Sequence, residues 1–276
     1  MVDFIGVGAQ KSGTSWVYAC LYEHPEICAP IKELHFFSRP RFAKGKEWYE
    51  GHFTRCAEGK KVGEYSTSYL YTPETAERIA SLYPDTKLIA IVRNPIARAY
   101  SQYRNAIKAG EITAAVSFET YTKEETSCLG QGLYMEQINR YRKYFSDEQL
   151  LVLVYEDIEK DPLTFIQNIY AHIGVDDSFV PPSLNARINV ARAPKAVWID
   201  RLMHTVAEGL RKIGLDKLVY GIRRLKIPDL VRSLNTKEPK KKTTEPDLSA
   251  YSSYFTEDVA ALGVFLKRDM KREWNL

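Results

Sequence analysis

The sequence predicts a three-layer α/β fold, a central parallel sheet flanked by helices on both faces. Three stretches carry that expectation. "DFIGVG" (3–8), "KLIAIVR" (87–93) and "QLLVLVYEDI" (149–158) are short, nearly unbroken apolar runs, the pattern of strands buried on both sides. Helical patterns follow the strands, and strand–helix alternation lays consecutive strands parallel. At 276 residues the chain is long enough for one large domain with a single core, and one domain over 1–276 is expected.

After the first strand, Val17, Cys20 and Leu21 recur at helical spacing, which predicts a helix over 14–23. "KKVGEYSTSYL" (60–70) reads as a weaker strand. Asn94 as N-cap and Pro95 at the first helical position open a helix that runs to Lys108, with Ile96, Tyr100, Tyr103 and Ile107 on one stripe. "GLYMEQINRYRKYF" (132–145) is amphipathic with helical period, and "DPLTFIQNIYAHIG" (161–174) is a helix with Pro162 at its start and Gly174 at its end. From Pro194 onward the pattern is helical and basic. It is interrupted by "NTKEPKKKTTEPDLS" (235–249), too polar and Pro-rich to pack, which predicts a mobile basic surface loop.

Hydrophobic content of 45% and a net charge of +4 are ordinary for a soluble globular protein and do not predict a nucleic-acid partner. The four cysteines, Cys20, Cys28, Cys56 and Cys128, form no C-x-x-C pair and have no zinc-type histidine spacing. Reduced thiols and no metal site are therefore expected. No apolar run approaches the length of a membrane span, and Met1-Val2-Asp3-Phe4 leads directly into a strand, which predicts a cytoplasmic protein.

The stretch "GAQKSGTSW" (8–16) joins the first strand to the first helix. Such a junction presents backbone N–H groups and the positive end of the helix dipole, a site for an anion. Gly13 permits close approach, Ser12, Thr14 and Ser15 add hydroxyls, and Lys11 adds a charge. The loop is P-loop-like without being a nucleotide P-loop, because Lys11 precedes Gly13 instead of following it. Nor does it complete a dinucleotide fingerprint, since position 11 is Lys where that pattern has Gly.

"KSGTSW" after a strand resembles the 5'-phosphosulfate loop of sulfotransferases that use 3'-phosphoadenosine 5'-phosphosulfate (PAPS). "IVRNPIARAYSQY" (91–103) is similar to that family's 3'-phosphate segment, with Arg93 ending a strand and Ser101 on the following helix. "HPEICAPIKELHFFS" (24–38) resembles the K-E-V-H-F-F-D region of the heparan sulfate sulfotransferases and their bacterial relatives, 144–162 resembles that group's segment between helix and strand, and 254–274 its closing helix. The resemblance is close over 3–174 and does not carry 175–250.

It implies an enzyme that transfers a sulfuryl group from PAPS, without a metal, to a hydroxyl or amine of a glycan or small metabolite. Lys11 would stabilise the leaving phosphate with Ser12, Gly13, Thr14 and Ser15 around it. Trp16 matches the family's adenine-contacting aromatic, or is a core residue of the first helix. Glu33 matches the proposed base, with His35 in reserve, and Lys32 would contact donor or acceptor. Period-two spacing in a strand-like segment would turn Glu33 and His35 to one face. Arg187, Arg192 and Lys195 would close over the 3'-phosphate, or form an exposed basic loop. Two positions depart from the group's pattern: Ser38 replaces Asp, and Tyr65 stands where an E-K-S-type pattern has Lys. Glu64 is either a second carboxylate at the site or a buried strand-end residue paired to an arginine. A kinase or NTPase with an atypical loop, and a non-catalytic nucleotide-binding module, are the alternatives.

Overall fold

The computed structural model describes residues 2–186 and 248–276, together with the backbone of the short pairs 193–194 and 236–237. Two compact units divide the chain: Met1–Ala99, Ser127–Ile188 and Leu248–Leu276 form the first, and Tyr100–Thr126 with Asn189–Asp247 the second.

The first unit is built on a five-stranded parallel sheet. Its strands are β1 (Phe4–Gly8), β2 (Ile27–Cys28), β3 (Lys61–Tyr65), β4 (Lys87–Val92) and β5 (Leu150–Val154), in the spatial order β2-β3-β1-β4-β5. Every residue of β1 is buried, as its unbroken apolar run predicts for a central strand. Helices α1 (Thr14–Glu23), α2 (Gly45–Glu50), α3 (Thr75–Leu82) and α4 (Pro95–Ala109) follow in turn.

On one face, Val17, Cys20 and Leu21 of α1 meet Phe165, Ile166, Ile169 and Ile173 over Phe4, Ile89 and Ile91 of the sheet. Burying each aliphatic side chain there is worth about 1.5–3 kcal/mol. Parallel strands of this order bring the carboxyl ends of β1, β3 and β4 side by side, the edge at which open α/β sheets collect ligands.

The remaining helices of this unit are α6 (Ser127–Gly130), α7 (Tyr134–Tyr141), α8 (Glu156–Lys160), α9 (Pro162–Ile173), α10 (Ser252–Leu266) and α11 (Met270–Trp274). Asp258 of α10 accepts the first N–H groups of α7, from Met135 and Glu136, at 3.0 and 3.1 Å, satisfying donors that a helix start leaves open. Helix α11 is tied to the corner between β4 and α4. Asn94 Nδ2 donates to the Trp274 carbonyl at 3.0 Å, and Trp274 Nε1 donates to Glu156 at 3.1 Å. The other oxygen of Glu156 accepts the Asn94 N–H at 3.0 Å.

In the second unit, α5 (Phe118–Glu124) is capped by Ser117, and Phe118 packs edge-on against Tyr100 and Tyr103. Ala193–Pro194 and Thr236–Lys237 pair antiparallel. The rest of the run expected as a basic loop, apart from Leu248 and Ser249, lies outside the described residues.

Four expectations are corrected. The strand expected over 149–158 stops at Val154, where Glu156 and Asp157 favour the opening turn of α8. The closing helix expected over 254–274 breaks at Lys267, whose φ is 55°. The segment holding Glu33 and His35 is no strand: both have positive φ, 60° and 55°, and Lys32 makes a single bridge to Tyr65.

The fourth concerns the thiols. Cys28 and Cys56 form a disulfide, while Cys20 and Cys128 are free and buried. Pairing of β2 with β3 and the fold of α2 bring these two cysteines together across 28 residues, a proximity that motif spacing does not reveal. No helix among the described residues is long and apolar enough to cross a membrane.

The disulfide closes a loop that contains the whole Glu33–His35 turn. Replacing both cysteines by serine is expected to lower stability by about 3 kcal/mol, read as a fall in the urea midpoint relative to the oxidised protein, with the reduced wild type falling to the level of the variant.

Candidate active site

The first half of the site is the β1–α1 junction. Strand β1 ends at Gly8, and residues 9–13 turn into α1 through two left-handed positions, Lys11 with φ 70° and Gly13 with φ 76°. Only glycine fits position 13, because an added Cβ would lie 2.9 Å from Tyr155 Cδ2. No side chain caps the N-terminus of α1, so its first N–H groups face the loop. Arg93, at the end of β4, donates to the Lys11 carbonyl at 2.9 Å and stacks on the Tyr155 ring, 4.5 Å from its centroid. Two polar atoms here, Ser12 Oγ and Arg93 Nε, are buried without a partner among the described residues. Unpaired buried donors beside an open helix N-terminus fit an anion such as a phosphate.

The second half is the turn 32–38, docked on the end of β3. The Glu33 N–H donates to the Tyr65 carbonyl at 2.8 Å. Its carboxylate accepts from the Thr67 N–H at 3.1 Å, from Thr67 Oγ1 at 3.1 Å, and from His35 Nε2 at 3.1 Å. A carboxylate facing Nε2 requires the proton on that nitrogen, so in a neutral ring Nδ1 accepts from the Ser68 hydroxyl, 2.7 Å away. Ser38 Oγ lies 2.6 Å from Ser68 Oγ, which gives the residue at the departing position a place in the same chain of hydroxyls. Left-handed turns, and not strand alternation, bring Glu33 and His35 together.

Lys32 joins the halves. Its Nζ donates to Ser15 Oγ of α1 at 2.7 Å and lies 3.9 Å from Glu33 Oε1. Burial pushes its pKa below the usual lysine range, and the Glu33 charge partly opposes that shift.

Of the residues expected at the site, Lys11, Ser12, Gly13, Ser15, Arg93, Lys32, Glu33 and His35 are thus connected in two adjoining groups. Thr14 is buried at the start of α1. Trp16 stands apart: it is 7% exposed within the core, and its Nε1 donates to the Ser183 and Leu184 carbonyls, each at 3.1 Å. Ser101 lies on the part of α4 that belongs to the second unit. Arg187, Arg192 and Lys195 fall outside the described residues. Tyr65, at the other departing position, donates to the Gly8 carbonyl at 2.9 Å, and its ring fills the space over Gly6. Glu64 is fully buried, with hydroxyl partners in place of the expected arginine.

Sequence reading missed Ser66, Thr67, Ser68, Tyr69 and Tyr155. The first four are consecutive hydroxyl residues immediately past a strand end, which is the signal that was available.

A strand–helix loop with open N–H groups, joined by a half-buried lysine to a carboxylate and an imidazole, suits a group-transfer domain of the P-loop-like α/β class. The particular group follows from comparison. The chain belongs to the sulfotransferase domain family, whose family model matches residues 2–212.

It is 32% identical over 193 residues to the bifunctional heparan sulfate N-deacetylase/N-sulfotransferase 4 of Mus musculus, covering 62% of this chain and 22% of that protein. It is 30% identical over 177 residues to the heparan sulfate glucosamine 3-O-sulfotransferase 6 of the same species, covering 61% of this chain and 51% of that one. The chain thus spans about half the length of the second relative and less of the first. A solved sulfotransferase from Alicyclobacillus acidocaldarius is 26% identical, covers 100% of this chain and 99% of its own, and superposes with a TM-score of 0.72.

The loop geometry yields a direct prediction. Gly13→Ala forces a side chain into both a left-handed backbone position and the Tyr155 ring, and is expected to lower stability by about 1–3 kcal/mol. Thermal melting checks the loss.

Proposed function

We propose that the chain transfers a sulfuryl group from PAPS to a hydroxyl or amine of a glycan or small-metabolite acceptor. The observation that carries this reading is the Lys32 Nζ hydrogen bond to Ser15 Oγ, 2.7 Å, which sets the carboxylate–imidazole turn against the anion loop. The heparan sulfate activities in the relatives' names support a glycan acceptor.

PAPS is the substrate that brings the activated sulfuryl group to the loop. In the transfer, the bond from sulfur to the phosphate oxygen breaks as a bond from sulfur to the acceptor oxygen or nitrogen forms. The acceptor proton passes to Glu33. Its side chain is 27% exposed, and three donors fix its orientation.

His35 holds that carboxylate through Nε2–H and is itself held by Ser68. The charge that develops on the leaving phosphate is met by Lys11, by the N–H groups and hydroxyls of 12–15, and by Lys32. With Tyr65 in the place of a lysine, Lys32 supplies the second ammonium at the loop. Arg93 is assigned to the 3'-phosphate. A neutral sulfuryl unit leaving a phosphate asks mainly for alignment and charge stabilisation, and these residues offer both.

Calorimetry with 3'-phosphoadenosine 5'-phosphate, with ATP and magnesium alongside, tests the donor. The bisphosphate is expected to bind preferentially, with affinity reduced at least about tenfold in Lys11→Ala and in Arg93→Ala. Preference for ATP, or binding of neither, contradicts the reading. For the base, Glu33→Gln is expected to lower kcat about 10²–10⁴-fold in transfer of labelled sulfate from PAPS to N-deacetylated heparosan or another acceptor from a glycan panel. Bisphosphate affinity should stay within about threefold of wild type.

A further inference from the structure

The geometry points to Glu64 as the positioning residue of the Glu33–His35 turn, acting through two hydroxyls that each pass one hydrogen to Glu64 and accept a backbone N–H of the turn. This rests on the reading of Glu33 and His35 as the base and its partner.

Glu64 lies in β3 and is fully buried. Its Oε1 accepts from Tyr69 Oη at 2.6 Å and from Tyr49 Oη at 3.1 Å, and its Oε2 accepts from Ser66 Oγ at 2.6 Å. Among the described residues no lysine or arginine pairs with it. A buried carboxylate that neutralises nothing is costly, so the arrangement calls for another role.

That role appears one bond further on. Ser66 Oγ accepts the His35 N–H at 3.0 Å, and Tyr69 Oη accepts the Phe36 N–H at 2.8 Å. A hydroxyl has one hydrogen, and because Glu64 takes it in both cases, the oxygen lone pairs are left to face the turn. Glu33 and His35 need such support, since both occupy the left-handed region, which strains a non-glycine residue. Around Glu64 stand Tyr49 from α2, Tyr18 from α1, Ser66 and Tyr69 beyond β3, and Glu33 with Lys32 and His35 on the turn.

Desolvation is the main cause that pushes the Glu64 pKa up to about 7, and the Glu33 charge adds to it. A protonated Glu64 would add a donor to a cluster whose hydroxyls already donate into it, so one of them must turn its hydrogen elsewhere. Because the folded pKa lies above the ordinary value of 4.5, this group's contribution to stability is complete below 4.5 and is lost as pH rises through about 7. Order in the turn runs the opposite way, being greatest where Glu64 is a carboxylate. A side chain serving stability alone would not produce opposed trends.

The test is amide hydrogen exchange on the full chain, free of ligand, for wild type, Glu64→Gln, Ser66→Ala and the double variant. Either orientation of the amide in Glu64→Gln adds donors to the cluster. Exchange in 33–37 is expected to rise about tenfold, with peptides of β1 and α1 unchanged. The double variant should exchange little faster than either single one.

After correction for intrinsic rates, wild-type protection in 33–37 should fall as pH is lowered through about 7, while protection in Glu64→Gln stays flat. In the transfer assay kcat should fall about tenfold with bisphosphate affinity retained. Wild-type exchange in Glu64→Gln, or additive effects of the two substitutions, would overturn the assignment.

Should Glu64→Gln not fold, Ser66→Ala and Tyr69→Phe leave the carboxylate in place. Each must then accelerate exchange in 33–37, and unchanged exchange overturns the proposal. Exchange needs neither donor nor acceptor, so this outcome is separate from a failure of bisphosphate binding, which would reject the sulfuryl-transfer reading instead.

Discussion

The hydrogen bond from Lys32 Nζ to Ser15 Oγ connects two pieces of chain that the sheet sets side by side. One is a strand–loop–helix junction whose open N–H groups suit a phosphate. The other is a turn that carries a carboxylate and an imidazole. Group transfer needs donor and base within one reach of the acceptor, and the parallel order β3-β1-β4 supplies that proximity by ending three strands on the same edge. A lysine in this bridge does more than hold two elements in place: it brings a partly desolvated charge to the loop, where electrostatic contacts are stronger than in water.

The site is expensive in backbone terms. Lys11, Glu33 and His35 all have positive φ without being glycine, and each needs neighbours that over-determine its conformation. Arg93 does this for Lys11 by holding its carbonyl. The strand-end carbonyl of Tyr65, the hydroxyls of Ser66 and Tyr69, and the Arg41 guanidinium on the Leu34 carbonyl do it for the turn. The Cys28–Cys56 bond encloses the same segment from outside. Strain concentrated in two turns and relieved by a rigid sheet is what a preorganised site requires.

Periodicity made most of the sheet legible. "FIGVG" and "KLIAIV" are buried on both faces, and their apolar runs say so without tertiary information. Pro162 and Gly174 marked the ends of α9 through local chemistry alone. Motif order also marked the β1–α1 junction, since Lys11, Gly13 and Ser15 lie within one turn of chain.

What sequence did not show depends on contacts between distant segments. The approach of Cys56 to Cys28 requires β2 to pair with β3. The hydroxyls of 66–69 matter only because residues 33–37 fold over them. Alternation suggested that Glu33 and His35 share a face; the result held while the mechanism did not, because left-handed turns replaced the strand. Trp16 shows the converse, a family-like position whose ring packs in the core and whose N–H is taken by residues 183 and 184.

A crystal structure of the chain with 3'-phosphoadenosine 5'-phosphate tests the central claim most directly. The account predicts the 5'-phosphate on the N–H groups of 12–15, with Lys32 Nζ and Ser12 Oγ in hydrogen-bonding reach and the Glu33 carboxylate facing the vacant sulfuryl position. A 5'-phosphate bound elsewhere, or a bound complex in which Lys32 and Glu33 point away from it, would contradict the account.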